Sequence, residues 1–308
     1  MINSYIGITD RDWFDTLKSA SGLAGLDEVN FWKPSGSTNF RALRFGELFL
    51  FKLHAPDNFI VGGGIFAHFS ILPISIAWEA FGIKNGARDY EQMRGRVEKY
   101  RKTQPNPYED YRIGCILLEQ PFFFNREDWI PVPDNWHRSI QQGRKYDLSR
   151  EPGLTLWKRI MARRFAYQGE PASDHPAYGE PTLIKPRLGQ GAFRIVVTDG
   201  YERRCAFSGE RTLPALDAAH IQPYKIAKEH RADNGLLLRK DLHALFDKGY
   251  LTVAPDRRIE VSKRIKEEFE NGRDYYVLDG RPMREPKDLE MLPNPQFLEW
   301  HNQEVFKG

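Results

Sequence analysis

Three short apolar stretches in the last third of the chain each carry polar residues at fixed places, and this pattern constrains the fold more than any other. The first stretch contains Asp217 and His220, the second follows Asn234 and runs into three leucines, and the third places His243 four residues before Asp247. Apolar runs of this length bounded by polar loops are typical of strands, and a spacing of four puts two side chains on one helix face. The pattern therefore predicts two strands followed by a short helix.

The side chains in this pattern are those needed to activate water and to hold one divalent cation on a phosphate. His243 and Asp247 can bind one side of a cation, and neutral His220 is the candidate general base because an imidazole ordinarily titrates near neutral pH. Asn234 offers a donor and an acceptor, either to hold its loop or to orient the imidazole of His220. Regular strand alternation would place Asp217 on the opposite face, so it would reach the cation only through a twist or bulge.

Basic residues are concentrated around this segment. Residues 185–266 contain 17 Lys and Arg against 10 Asp and Glu, whereas the rest of the chain contains 28 against 32, so the net charge of +3 divides unevenly. A basic region gains affinity for a polyanion through counterion release, although a solvated basic surface would have the same composition. Arg239 and Lys240, directly before the predicted helix, are the candidates for contacts with phosphate.

Length and composition set broader limits. The 308 residues, 41% of them hydrophobic, are enough for two domains with buried cores. The two cysteines, Cys115 and Cys205, are too few for a disulfide framework or a four-thiolate zinc site, which favours a reducing cytoplasm. The first residues lack a basic patch followed by an apolar run, and no apolar run approaches about eighteen residues, so we expect neither export nor a membrane span.

The N-terminal part of the sequence predicts a small curved sheet with one or two helices. Its β-branched and aromatic runs are interrupted by Gly62–Gly64, where glycines indicate a bulge or a close approach to the backbone. Helical spacing occurs over Ile74–Phe81 and Tyr90–Lys102. A helical segment near Leu156–Phe165 precedes residues 168–191, which are rich in Pro, Gly and polar residues and which we interpret as a linker.

Four short motifs together resemble an HNH endonuclease domain over about residues 189–265. They are Cys205–Gly209, Ala219–Ile221, Asn234–Leu236 and His243–Asp247. The resemblance implies two strands and a helix around one metal ion. It also implies that His220 is the general base, that His243 is a metal ligand and that Asn234 supports the site; Asp247 is our candidate for a further ligand.

Two positions depart from the pattern of that family. Ala219 stands where many relatives carry an acidic residue or a histidine, so Asp217 becomes a substitute candidate for the metal ligand from the strand. Many relatives also carry two pairs of cysteines for structural zinc, but here only Cys205 remains, with Ser208 three residues later. We therefore expect no structural zinc.

A second resemblance covers about the first 147 residues. Val29–Gly36, Gly46–Lys52 and Ile60–Gly64 are similar to the PUA-like group of small β-barrels, which includes EVE, ASCH and SRA domains. It implies an aromatic pocket for a flipped, modified base, which stacking and hydrogen bonds to the base edge can identify. The candidates for this pocket are Phe31, Trp32, His54 and His68, with Lys33 near phosphate.

These expectations combine into an α+β protein with four regions. They are a PUA-like β-barrel domain with helices at 1–147, a helical segment and linker at 148–188, a ββα-metal HNH domain at 189–270, and a C-terminal extension at 271–308 that is too rich in proline for an assignment. The expected function is that of a cytoplasmic, modification-dependent endonuclease, similar to type IV restriction enzymes, that recognises a modified cytosine in double-stranded DNA.

The expected cofactor is one divalent ion per site, Mg²⁺ or alternatively Mn²⁺. Because one such site cuts one strand, we also expect a homodimer. Two alternatives stay open. One is an HNH nuclease of another purpose, such as a nicking repair enzyme or a toxin, and the other is a reader of modified DNA that does not cut.

Overall fold

The computed structural model describes residues 2–101, 106, 108–168, 181–184 and 187–308, and the chain divides into two compact units, residues 1–187 and 188–308. The fold is mixed α+β, as expected. Most of the expected linker, including residues 169–180, lies outside the described residues. Within the described ranges, no helix is both long enough and apolar enough to cross a membrane.

One sheet forms the centre of the N-terminal unit. Its strands are β1 (Asn3–Thr9), β2 (Glu28–Lys33), β3 (Leu48–Leu53), β4 (Phe59–Pro73), β5 (Arg112–Phe123), β6 (Ile130–Pro131) and β7 (Gly143–Asp147). The order is β2-β5-β4-β3-β1-β7, with β6 paired to β4; β1 and β3 are parallel, and the other pairs are antiparallel.

The expected β-barrel is not closed. In the part of the chain that the structure describes, the edge strand β2 pairs only with β5 and the edge strand β7 only with β1. Closure requires the two edges to meet, and curvature alone does not provide that. The curvature itself is present: β4 shifts register against β5 between Gly63 and Ile65 and again between Phe66 and His68. A Cβ on Gly62 would lie 2.2 Å from the carbonyl oxygen of Phe122, so the predicted close approach is also confirmed.

Both faces of this sheet are covered by helices, which explains why β3 reads as a continuous apolar run. The helices of the unit are α1 (Arg11–Ala24), α2 (Ile74–Phe81), α3 (Tyr90–Tyr100) and α4 (Gly153–Gln168). Leu48 and Leu50 join the core cluster that contains residues of α4, whereas Phe49, Phe51 and Leu53 join the cluster that contains residues of α1. Alternating side chains therefore serve two cores.

The C-terminal unit contains two small hairpin-like sheets surrounded by helices. Its elements are α5 (Gln190–Gly200), β8 (Leu216–His220), α6 (Tyr224–Ala227), β9 (Gly235–Arg239), α7 (Lys240–Asp247), β10 (Leu251–Val253), β11 (Ile259–Val261), α8 (Arg264–Phe269), α9 (Arg273–Tyr276) and α10 (Pro295–Glu304). β8 pairs with β9 and β10 with β11, both antiparallel. The predicted order of two strands and a short helix is thus confirmed in β8, β9 and α7.

The proline-rich C-terminal segment contains a helix that the sequence analysis left unassigned. Asn294 caps α10 by accepting a hydrogen bond from the backbone amide of Gln296, and Pro295 occupies the first helical position, where its missing N–H costs nothing. Leu298 and His301 of this helix are buried in the same unit as β8 and β9. The segment is therefore part of the second unit's core.

Candidate active site

The strands β8 and β9 and the helix α7 form the frame of the site. β8 and β9 pair in regular register, with His220 opposite Gly235, and α7 follows β9 directly. Gly235 has an extended φ of −125°, so the Asn-Gly pair is not a turn with positive φ. Glycine is needed because α5 packs close by: a Cβ on Gly235 would lie 2.5 Å from Cγ2 of Val197.

Asn234 connects the two loops that flank the strand pair. Its side chain is fully buried; Oδ1 accepts a hydrogen bond from the backbone amide of Gln222 at 2.8 Å, and Nδ2 donates to the carbonyl oxygen of the same residue at 2.8 Å. The backbone amide of Ile221 donates to the carbonyl oxygen of Asn234. Of the two roles that the sequence left open, holding the loop is therefore the one that the contacts support.

His220, at the end of β8, is stacked on one face and hydrogen-bonded at its edge. The ring of Phe193 in α5 lies parallel to it at a centroid distance of 4.0 Å, and Nε2 of His220 is 2.9 Å from Nδ1 of His230. Burial lowers the pKa of His220 to about 4, and the nearby imidazoles of His230 and His243 add to this effect. The ring is therefore neutral near pH 7 and has a nitrogen able to accept a proton.

His243, on α7, lies between two carboxylates. Its Nδ1 is 3.2 Å from Oδ2 of Asp217, and its Nε2 is 3.3 Å from Oδ2 of Asp247. Burial lowers the pKa of His243, but the hydrogen bond with Asp217 and the charges of both carboxylates outweigh burial and raise it above its ordinary value. Burial raises the pKa of Asp217, but the hydrogen bond with His243, the nearby charges of His243 and Arg194 and the backbone amide of Ala218 together outweigh burial, so the pKa is lowered from its ordinary value.

Asp217 reaches this group although β8 is regular. No register shift interrupts the pairing of β8 with β9, so the bulge that the sequence analysis considered is not the cause. Instead, the contact forms because His243 of α7 lies next to Asp217 of β8. Asp217 also contacts α5, where Nε of Arg194 lies 3.9 Å from its Oδ1. Asp217 is thus held from two helices.

His243 has a carboxylate oxygen beside each ring nitrogen, and each of these pairs offers two donors to a divalent ion. In the described residues, no group of three or more His, Cys, Asp or Glu side chains is arranged around one point, because Asp217 and Asp247 meet different nitrogens of the ring. Two donors about 2.1 Å from one ion and at right angles are about 3 Å apart. Nε2 of His243 and Oδ2 of Asp247, 3.3 Å apart, come close to that condition, and so do Nδ1 of His243 and Oδ2 of Asp217, 3.2 Å apart. Of the two carboxylates, Asp247 lines the cleft described below and Asp217 does not, which favours the Nε2 side for the ion. Asp217 contacts the other ring nitrogen of His243, Nδ1. Carboxylates in this position orient the imidazole when its remaining nitrogen binds a metal.

These groups open into a shared cleft of about 270 Å³ that is lined by His220, His243 and Asp247. Its other lining residues are Ile221, Pro223, Tyr224, Trp300, His301 and Val305. The imidazole of the β8 strand and the His243–Asp247 pair of α7 therefore face one space, as water activation beside a bound cation requires.

The residues suggested for a base pocket lie in different environments of the N-terminal unit. Phe31 is only 8% exposed and packs against Trp13 and Phe49 in the aromatic core. Trp32, its neighbour on β2, is half-buried and donates its indole N–H to the carbonyl oxygen of Asn85.

His54, His68 and Lys33, the other residues predicted for the base pocket, are more exposed than Phe31. His54 follows β3, and its ring lies parallel to that of Tyr100. His68 is half-buried at a register shift of β4, and Nζ of Lys33 donates to Oγ1 of Thr38. Of the four suggested pocket residues, Trp32, His54 and His68 retain exposed surface, while the environment of Phe31 is that of a core residue.

Comparison with known proteins addresses the C-terminal unit first. Residues 205–254 match the HNH endonuclease family. The match includes β8, β9 and α7, and with them His220, Asn234 and His243. No curated protein sequence matches the chain.

Solved structures give low-scoring similarities. The ASCH protein from Zymomonas mobilis has a TM-score of 0.33 and 9% sequence identity, covering 50% of this chain and 94% of that one. A mutant form of the same ASCH protein gives a TM-score of 0.32 at the same identity and coverage. The modification-dependent TagI restriction endonuclease has a TM-score of 0.26 and 12% identity, covering 84% of this chain and 61% of that one.

The residues expected to meet phosphate lie at the start of α7 in the HNH segment. Arg239 forms an ion pair with Asp241, with 2.5 Å between NH2 and Oδ2, and both side chains are more than a third exposed. Lys240 is exposed at the first position of the helix. An exposed ion pair contributes little stability, so the guanidinium can exchange its carboxylate for a phosphate.

Cys205 acts as a buried hydrogen-bond acceptor in the HNH segment. Its Sγ accepts from the backbone amides of Ser208 at 3.4 Å and Arg239 at 3.3 Å. These contacts connect the turn after Cys205 to the end of β9. The expectation that no structural zinc binds stays a prediction.

Several side chains around the candidate site were absent from the set predicted from the sequence. His230 contacts His220, Phe193 stacks on it, Arg194 approaches Asp217, and Trp300 lines the cleft. A second histidine only ten residues after His220 was a usable signal for His230. The other three come from helices distant in sequence, and only tertiary packing identifies them.

Proposed function

We propose that this chain is a DNA endonuclease that hydrolyses phosphodiester bonds with His220 as general base and one divalent ion at His243 and Asp247. The observation that carries the proposal is the shared cleft, where a neutral imidazole faces a nitrogen and oxygen pair spaced for one cation. The match of residues 205–254 to HNH endonucleases supports the same chemistry.

In the proposed reaction, His220 accepts a proton from a water molecule. The electrons of the broken O–H bond stay on the oxygen, which attacks phosphorus while the bond to the leaving sugar oxygen breaks. A divalent ion, when bound, stabilises the negative charge that develops on the phosphate. Asp217 holds Nδ1 of His243 and thereby orients its Nε2 toward Asp247. Asn234 keeps the loop behind His220 in place.

We propose Mg²⁺ as the ion, with Mn²⁺ as the alternative, because a carboxylate and water suit both. Arg239 and Lys240, at the start of α7, are proposed to contact the phosphates that flank the cut bond. The basic balance of residues 185–266 supports DNA as the substrate. Because each chain carries one such site, we propose that a double-strand break requires two copies acting together.

The finer proposal is that the N-terminal unit selects a modified cytosine, in a cytoplasmic restriction enzyme. It rests on the similarity of three segments of this unit to PUA-like domains and on Trp32, His54 and His68, which combine aromatic or imidazole rings with exposed surface. A flipped base can be identified by stacking on such a ring and by hydrogen bonds to its edge. Phe31 is proposed to support the pocket from the core.

The test is a cleavage assay with the full chain. Supercoiled plasmid and labelled linear duplexes, each with cytosine, 5-methylcytosine or 5-hydroxymethylcytosine, are incubated with Mg²⁺, Mn²⁺ or EDTA. We expect cleavage that requires the ion and is faster on a modified duplex. Nicked and linear plasmid products, followed against protein concentration, report whether two copies act together.

Each alternative gives a distinct outcome. Equal cleavage of all duplexes would support the nuclease and contradict the modified-base reader. Nicking without linear product at any concentration would favour a nicking enzyme. Retention of modified DNA without cleavage, with either ion, would contradict the proposed hydrolysis and favour a reader.

A further inference from the structure

We propose that His230 is a positioning residue that fixes the ring orientation and the tautomer of His220; this inference rests on the proposed function. Nε2 of His220 and Nδ1 of His230 are 2.9 Å apart, within hydrogen-bond distance, and the ring centroids are 5.1 Å apart at an angle of 49°. No other hydrogen bond to the ring of His220 occurs in the described residues. The contact with His230 is therefore the one polar constraint on this ring.

Stacking and hydrogen bonding constrain the ring of His220 in different ways. Phe193 fixes the plane of the ring, since the two rings lie 4.0 Å apart and within 11° of parallel. Stacking does not distinguish a ring from its copy rotated by 180°, because the terminal torsion of histidine has two broad minima. That rotation would exchange Nε2 with a carbon atom and break the hydrogen bond. His230 therefore selects one of the two orientations that Phe193 permits.

His230 is itself held in place. Tyr224 stacks on it at a centroid distance of 4.3 Å and an angle of 13°, and the backbone of His230 forms a bridge with Leu188. Tyr224 is about half exposed, at the rim of the cleft. The rings of Phe193, His220, His230 and Tyr224 thus form one contiguous cluster, in which Phe193 also approaches His230 at a centroid distance of 5.7 Å. The bond between the two imidazoles joins the two stacked pairs of this cluster.

The single proton in that bond decides whether His220 can act as a base. If Nε2 of His220 donates, its Nδ1 carries a lone pair and can accept the proton of water. If Nδ1 of His230 donates, the neutral ring of His220 carries its proton on Nδ1 and offers no lone pair there. The productive arrangement therefore requires His230 to be protonated on Nε2 and to accept at Nδ1.

The first experiment compares His230→Ala with His230→Asn in the cleavage assay with Mg²⁺. Asparagine places a polar atom near the position of Nδ1, so it can keep the bond to His220 without the imidazole. We expect His230→Ala to lower kcat by about 10- to 100-fold with little change in KM, and His230→Asn to restore most of the loss. His137→Ala, which removes an exposed histidine of the other unit, is the control and should cut as the wild type does.

The second experiment needs neither metal nor DNA. Nitrogen-15 NMR of the histidine rings, with His220 assigned by the His220→Ala spectrum, reports which nitrogen carries the proton. We expect Nε2–H for His220 in the wild type and in His230→Asn, and a mixture of tautomers in His230→Ala. Thermal unfolding of each variant separates a lost orientation from a lost fold.

Two results would overturn the inference. One is a wild-type His220 protonated on Nδ1; the other is a folded His230→Ala protein that cuts at the wild-type rate. If His230→Ala does not fold, the wild-type spectrum alone decides. Absence of cleavage by the wild type with either ion would contradict the proposed function instead, and the NMR result would still stand or fall by itself.

Discussion

Two corners of the C-terminal unit each contain a histidine stacked on a phenylalanine, and their comparison shows how the proposed general base differs from a histidine whose two ring nitrogens are both hydrogen-bonded. In the corner formed by β8, α7, α5 and the loop after β8, which we call the catalytic corner because it holds the proposed base and ion ligands, His220 stacks on Phe193 at 4.0 Å. In the supporting corner, formed by α10 and β10, His301 stacks on Phe246 at 3.8 Å. Burial lowers the pKa of both histidines to about 4, and both line the cleft.

The difference lies in the partners of the ring nitrogens. His301 uses both nitrogens on groups of fixed structure, with Nδ1 2.8 Å from Oγ1 of Thr252 and Nε2–H donating to the carbonyl oxygen of Phe246 at 3.1 Å. Within the part of the chain that the structure describes, the ring of His220 has one hydrogen-bond partner, and that partner is a second imidazole. A low pKa and a stacked ring are therefore common to both histidines, and the partners of the ring nitrogens are what sets the proposed base apart from His301.

The largest expected effect tests this distinction directly. His220→Ala should lower the cleavage rate by about 10²- to 10⁴-fold, the usual contribution of a general base, while DNA binding stays near the wild-type level. His301→Ala should instead lower stability, because Thr252 and the carbonyl of Phe246 lose a buried partner. Cleavage kinetics, gel-shift binding and thermal unfolding measure both variants. Wild-type cleavage by a folded His220→Ala protein would remove the base from the proposal.

The second prediction concerns the supporting corner: the free energy of unfolding should depend on pH through His301. The folded-state pKa of His301, about 4, lies below the unfolded value near 6.5, so the unfolded chain binds more protons between these values. The contribution of this group is present above pH 6.5 and is lost as pH falls toward 4, by up to about 3 kcal/mol. His301→Gln keeps a donor for the carbonyl of Phe246 and cannot titrate, so its free energy of unfolding should fall less over that range.

The measurement is denaturant unfolding of both proteins in EDTA at several pH values between 4 and 7.5. EDTA removes the separate influence of metal binding on stability. Parallel pH curves for the two proteins would show that His301 does not carry this dependence.

Some parts of the candidate site could be predicted from the sequence and others could not. The periodicity of the apolar runs was enough to predict β8, β9 and α7, and the spacing of His243 and Asp247 was enough to place them on one helix face. Strand alternation suggested that Asp217 needs a twist or bulge to reach the cation; β8 pairs in regular register, and His243 of α7 contacts Asp217 without a bulge. Which helix crosses which strand is tertiary information that local periodicity does not contain.

Outside the site, local sequence signals were present for two elements, α10 and β3, but the surrounding composition made them hard to recognise. The prolines of the C-terminal segment discouraged an assignment, yet Asn294-Pro295 is a helix start, with a capping side chain followed by a residue suited to the first turn. In the N-terminal unit, alternation along β3 was masked because both faces of the sheet are covered. Closure of the sheet depends on the meeting of distant edges, and aromatic and glycine patterns do not determine that.

The third prediction separates the two carboxylates of the catalytic corner. Asp247→Ala should abolish measurable Mn²⁺ binding, since it removes a proposed ligand, whereas Asp217→Asn should weaken binding by about 10- to 100-fold, as expected for a residue that orients a ligand. Asp241→Asn, on the same helix but paired with Arg239, is the matched control and should bind as the wild type does. Calorimetry with Mn²⁺ measures all three. A stronger loss from Asp217→Asn than from Asp247→Ala would place the ion at Nδ1 of His243 instead.

The smallest effect concerns how DNA approaches the catalytic corner. Arg239 is paired with Asp241 at the start of α7, and Arg257 is paired with Glu285 in the same unit; both pairs have 2.5 Å between nitrogen and oxygen, and each side chain is more than a third exposed. Exposed pairs of this kind contribute little to stability, so neither substitution should disturb the fold. A difference in DNA binding between Arg239→Ala and Arg257→Ala would therefore show which of the two arginines lies near the bound DNA. If Arg239 meets a phosphate, its loss should lower the slope of log affinity against log salt by about one, and Arg257→Ala should leave that slope unchanged. Fluorescence anisotropy across a salt series, with EDTA to prevent cleavage, measures the slopes; equal slopes for both variants would mean that DNA does not enter along the start of α7.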